Sequence, residues 1–116
     1  MSGVSVSVNE LEQQLVNAKL LVGRRDRALR LSTNPDFRAL ILDEFCTTEA
    51  ARYVQASADP ALSDRDQANA LALAQASGHL RRFLSVTMQM GNVAESSLVE
   101  LHEAIEVERA EEDQQG

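Results

Sequence analysis

At 116 residues the chain has room for one ordinary domain, and its formal charge of −7 argues against a general nucleic-acid binder, which needs clustered cations to displace counterions from phosphates. Apolar residues make up 44%, yet the only aromatics are Phe37, Phe45, Tyr53 and Phe83, so a core has to be built from Leu, Val and Ala, residues suited to narrow helix–helix seams. Cys46 is the only cysteine, which excludes an internal disulfide and a multi-thiolate metal site and predicts a reducing compartment.

The opening stretch, MSGVSVSVNELEQQL, carries neither a cationic leader nor an apolar core, and no apolar run approaches the ~20 residues needed to cross a bilayer. Secretion and membrane insertion are therefore not expected. Residues 1–8 are expected to be a flexible N-terminus. Ser7 with Glu10, or Asn9 with Glu12, forms a capping box that predicts a helix over 9–31. Along it Leu11, Leu15, Ala18, Val22, Arg25 and Leu29 alternate spacings of four and three, which keeps one seam turned toward a partner helix. Arg25 interrupts that seam; its stem can pack while the guanidinium reaches the edge or a carboxylate of the facing helix.

Asn34-Pro35-Asp36 is a strong second start: a capping Asn, a Pro in the first turn where its missing N–H costs nothing, and an acid at the positive end of the dipole. Two short helices are expected over 34–58, the first with Phe37, Leu40, Ile41 and Phe45 on one face, the second capped by Thr47 or Thr48 and ended by Asp59-Pro60. With Phe37, Phe45 and Tyr53 they should fold over Leu80, Phe83 and Leu84 as a clip that reverses the chain. Ser63 with Asp66 opens the last helix, expected over 63–112, with 113–116 as an acidic, flexible tail.

That last helix holds an unbroken register through Ala70, Leu73, Ser77, Leu80, Leu84, Thr87, Gly91, Ala94, Leu98, Leu101, Ile105 and Glu108, spaced three and four in turn. The small residues in its middle predict either an unusually close neighbour or a bend near Gly91. At 1.5 Å per residue the first helix spans ~33 Å and the last ~74 Å. Even with the short middle helices covering one portion of the last, part of the seam, represented by Leu73, Leu80, Leu84, Gly91, Ala94, Leu98, Leu101 and Ile105, is expected to lack a partner inside the chain, which predicts an oligomer or a constitutive partner.

Charge is polarised. Lys19, Arg24, Arg25, Arg27, Arg30 and Arg38 stand against Asp26 and Asp36, a local balance of +4, whereas seven carboxylates between Glu100 and Asp113 face only Arg109. The face formed by Arg24, Arg25, Arg27 and Arg30 is a candidate contact for the acidic tail, for a partner protein or for phosphates. With no interleaved exposed aromatics and no helix-turn-helix pattern, nucleic acid is the less favoured of these. His79 and His102 are far apart and lack metal-ligand spacing, and Cys46 has no evident base, so both types are read as structural. There is no Gly-rich phosphate loop, nucleophile elbow or zinc pattern. No catalytic, cofactor-binding or metal-binding residue is expected, and the chain is not expected to be an enzyme.

The succession Asn34-Pro35-Asp36-Phe37, Leu40-Ile41, Phe45, Glu49-Ala50-Ala51-Arg52-Tyr53-Val54 and Ala58-Asp59-Pro60, followed by a long helix with Gly78-His79-Leu80-Arg81-Arg82-Phe83-Leu84 and an acid-rich end, resembles small helical proteins of tailed bacteriophages over Asn34 to Glu112. The resemblance implies a scaffold, neck or tail component or an assembly chaperone in the virion or the infected host's cytoplasm, with homo-oligomers or other phage structural proteins as partners. It supplies no catalytic residue and leaves the first helix outside, so a small regulator acting through Arg24–Arg30 stands as the alternative. The expected fold is all-α, a single helical domain over 1–116 built as a long, coiled-coil-like helical hairpin with a two-helix clip between its long helices.

Overall fold

The computed structural model describes residues 7–115; most of the leader expected at 1–8, and the last residue of the expected acidic tail, lie outside the described residues. Within them the protein is all-α and contains no strand. The helices are α1 (Val8–Thr33), α2 (Pro35–Phe37), a π-helical segment (Arg38–Glu49), α3 (Ala50–Ser57) and α4 (Asp64–Gln115). No helix among the described residues is long and apolar enough to cross a membrane.

The polar signals set the helix starts. The Ser7 hydroxyl accepts from the Glu10 amide at 3.2 Å, the Asn34 side chain from the Phe37 amide at 3.0 Å, and the Ser63 hydroxyl from the Asp66 amide at 3.1 Å. Each satisfies an amide that the first turn of a helix leaves without a partner. Of the two starts open for α1, Ser7 with Glu10 is the one used. At the other end, residues 113–115 continue α4 instead of forming a separate tail.

The helical run from residue 35 to residue 57 departs from the expected clip. It is continuous, with no new start at Thr47 or Thr48. Both threonines turn their hydroxyls back along the helix, Thr47 donating to the Leu42 carbonyl at 2.9 Å and Thr48 to the Asp43 carbonyl at 3.2 Å, five residues earlier. That i−5 reach matches the wider π turn, where the backbone ring spans one residue more than in an α-helix. Hydroxyls that suit a cap in one backbone geometry therefore bond carbonyls within the helix in another.

The chain divides into two compact units, Met1–Asp26 with Thr87–Gly116, and Arg27–Val86. The first is an antiparallel helical hairpin of α1 against the second half of α4: Arg25 meets Asn92 and Glu95, and further out Glu12 meets Arg109. Leu11, Ala18, Thr87, Gly91, Ala94 and Ile105 are buried in it. The second unit has its own hairpin, the π segment and α3 running antiparallel to the start of α4. The Cys46 thiol lies 3.7 Å from the Ser77 carbonyl, and Arg81 donates to the Leu42 carbonyl at 3.2 Å and to the Thr47 hydroxyl at 2.6 Å. Ala28, Cys46, Ala70, Ser77 and Leu84 are its buried residues.

α4 runs unbroken through Gly91, and the alternatives posed by its small middle are thereby decided. A Cβ added at Gly91 would overlap Arg25 Cβ and lie 2.9 Å from both Arg25 Cγ and the Leu21 carbonyl oxygen. Glycine is required there because α1 comes too close for any side chain.

Candidate association surface

The register predicted for α4 faces inward. Leu84, Gly91, Ala94 and Ile105 are buried, Leu80, Leu98 and Leu101 half-buried, and only Leu73 is exposed, at 42%. The seam expected to seek a partner is thus occupied within the chain, in one unit by α1 and in the other by the π segment and α3. The bare stretch expected even with the short middle helices over one portion of α4 is therefore not found, Leu73 apart. α1 has 26 residues and the middle elements 3, 12 and 8, which together almost match the 52 of α4.

The four arginines of the basic face part company. Arg24, Arg27 and Arg30 are exposed on α1, whereas Arg25 is turned into the first hairpin, where it donates to Asn92 Oδ1 at 3.0 Å, to Glu95, and to Asp26 Oδ1 at 3.0–3.1 Å. Hydrogen bonds with Glu95 first and Asp26 second raise its pKa above the ordinary arginine value, so it is charged throughout the accessible range. Within the first unit the acidic end of α4 does not reach Arg24 or Arg25. The antiparallel pairing sets it beside the start of α1, where Arg109 bonds Glu12.

These ion pairs make the flanks of the first hairpin unlike. Glu95, His102 and Arg109 recur every seven residues on one flank of α4, opposite Glu12 and Asp26 of α1, and the pairs Arg25–Glu95 and Glu12–Arg109 close it. The other flank carries Met90, Val93, Ser97, Glu100, Ala104 and Val107, a second series spaced three and four in turn, about 100° around the helix from the seam. Met90 is 44% exposed, Val93 62% and Val107 56%. The spacing is visible in the sequence, but the Leu/Ile register beside it accounts for the same stretch of helix and masks it.

His79 and His102 are exposed, and no group of three or more His, Cys, Asp or Glu that could hold a metal occurs among the described residues. No family model matches the chain, and neither the curated proteins nor the solved structures contain a match.

Proposed function

We propose that this chain is a non-enzymatic association protein that works through helix–helix contacts, of the kind its resemblance to small tailed-phage proteins implies: a virion component or assembly factor present in the particle or in the infected host's cytoplasm. The observation that carries the reading is an inverted distribution of apolar bulk. Among the described residues the large aliphatic side chains that are buried are Leu11, Leu84 and Ile105, the rest of the core being Ala and Cys46, while fourteen large hydrophobics stand exposed. Exposed leucines and valines are normal one at a time; in this number, on a chain of this size, they support contact surfaces beyond the chain's own. The inward-facing seam no longer contributes to this reading.

The test is to follow the chain through a phage infection. The protein should co-sediment with particles or with assembly intermediates and crosslink there through exposed positions such as Val93 or Leu20. Recovery solely as a free species at every stage of infection would refute it. The second reading, a regulator binding phosphate or protein through α1, draws on the exposure of Arg24, Arg27 and Arg30, but Arg25 is already committed inside the hairpin. Its signature would be nucleic-acid retention at low salt that falls steeply as salt rises and is lost when the three exposed arginines are replaced.

A further inference from the structure

We infer that the flank of α4 running from Met90 to Val107 is a self-association surface whose occupant is the same flank of a second copy, set antiparallel about a two-fold axis between Ser97 and Glu100. This rests on the reading of the chain as an association protein and specifies which surface does the associating.

Self-complementarity is the argument. The six positions Met90, Val93, Ser97, Glu100, Ala104 and Val107 are spaced 3, 4, 3, 4, 3, a palindrome, so a two-fold axis maps the series onto itself. Met90 then faces Val107 of the second copy, Val93 faces Ala104, and Ser97 faces Glu100. Large side chains stand opposite large ones at the ends, and a small one receives Val93 between them. The only formal charge on the stripe, Glu100, comes opposite a hydroxyl that can donate to it. It also comes level with Arg24 of the other copy, an exposed cation one residue before Arg25, whose own guanidinium marks the level of Asn92 and Glu95. Parallel packing would instead stack Glu100 on Glu100. The opposite flank, Asn92, Glu95, Val99, His102, Glu106 and Arg109, has the same spacing, but a two-fold axis there would set Glu95 against Glu106, and Glu95 and Arg109 are already paired with Arg25 and Glu12. The angle of about 100° between seam and stripe is close to the right angle at which a helix of a four-helix bundle meets its two neighbours, so two hairpins would complete such a bundle.

Equilibrium sedimentation of the full chain over a concentration series tests this, with circular dichroism confirming that each variant keeps its helix content. The wild-type chain should be a monomer–dimer system. Val93→Glu should weaken dimerisation about 100-fold, and Val99→Glu, equally exposed on the ion-paired flank, should leave it unchanged. Arg24→Glu and Glu100→Arg should each weaken it about tenfold at low salt, and combining them should restore it. Met90→Cys with Val107→Cys, in a Cys46→Ala background, should give a covalent dimer on oxidation; at ~25 Å apart on one helix these cysteines cannot bridge internally. A chain monomeric throughout, a Val99→Glu variant that dissociates as readily as Val93→Glu, or failure of the charge swap to restore pairing overturns the inference. Those results leave the association reading standing if the chain is still found on particles; a dimer absent from every particle fraction refutes that reading and leaves the self-association intact.

Discussion

Gly91→Ala sets two ordinary effects of opposite sign against each other, and the structure decides between them. In the interior of an exposed helix, replacing Gly by Ala stabilises by about 1 kcal/mol, because glycine loses more backbone freedom on folding. At Gly91 the new methyl would overlap Arg25 Cβ and lie 2.9 Å from the Leu21 carbonyl oxygen, whereas ordinary contact begins at 3.4 Å. Neither neighbour is the movable tip of a side chain: one is the root of Arg25 and the other is backbone. α1 must therefore withdraw by at least half an ångström, carrying Arg25 away from Asn92 and Glu95. Overpacking of this kind costs about 1–3 kcal/mol, and contact with rigid atoms puts Gly91→Ala toward the upper end. The net is a loss of about 1–2 kcal/mol. Gly23, in the same hairpin, and Gly78 have nothing within 4 Å of an added Cβ, so their alanine variants should show the propensity gain alone. In thermal unfolding followed by circular dichroism, Gly91→Ala should melt several degrees below wild type and Gly23→Ala a few degrees above, at about 4 °C per kcal/mol for a chain of this length. A Gly91→Ala variant that melts with or above Gly23→Ala would refute the close approach of α1 to α4.

Arg25→Lys keeps the charge but removes the fork that serves Asn92, Glu95 and Asp26 together, so the variant should melt earlier than wild type at neutral pH. The sign of its pH dependence follows from the raised pKa of Arg25: a raised cation stabilises below its unfolded pKa and loses that contribution only as pH rises past it, which for arginine lies beyond any usable buffer. Lysine titrates near 10.4, so melting curves of Arg25→Lys should fall further behind wild type as pH approaches that value. Thr47→Val removes the hydroxyl that donates to the Leu42 carbonyl and accepts from Arg81, and should cost about 1 kcal/mol in urea unfolding; Thr48→Val, with one bond and no cross-helix partner, should cost less. Cys46 is 7% exposed with its thiol against the Ser77 carbonyl, so a thiol reagent should modify it only as fast as the second unit opens. Immediate reaction in native buffer would contradict that burial.

Where a local rule acts through a few adjacent residues, the sequence is a sufficient guide. Ser7, Asn34 and Ser63 each cap the helix they announce, because the bond from cap to third amide is decided within four residues. The α4 register survives from Ala70 to Glu108 with only Leu73 turned out. Arg25 at a seam position leaves its guanidinium either to the edge or to a carboxylate of the facing helix, and Glu95 is that carboxylate. The π segment was not legible in the same way. The residues 38–49 carry no local signal that separates i−4 from i−5 bonding, and the cross-helix bonds the segment receives, from Arg81 to Leu42 and Thr47, join residues distant in sequence. In α1 the inner face likewise shifts from the expected Leu29, 46% exposed, to Ala28, 5% exposed, a one-position change that spacing alone does not reveal.

The seam of α4 is spent inside the chain, so any surface for a partner has to lie elsewhere on the helices. A long apolar register shows that a helix has a partner; it does not show whose chain provides it. The decision lies in whether other helices of the chain cover it, and the burial of Ser77, Leu84, Gly91, Ala94 and Ile105 shows that they do. Covering the seam with Ala, Gly, Ser and Thr brings the backbones close together but leaves little room for large side chains between them, as Gly91 shows. The bulk that a thicker core would have absorbed is therefore displaced to the outer faces. On α4 it falls on both outer flanks, as Val99 beside the ion pairs and as Met90, Val93 and Val107 on the other. The same small residues that let the chain cover its own seam leave Met90, Val93 and Val107 on its outside.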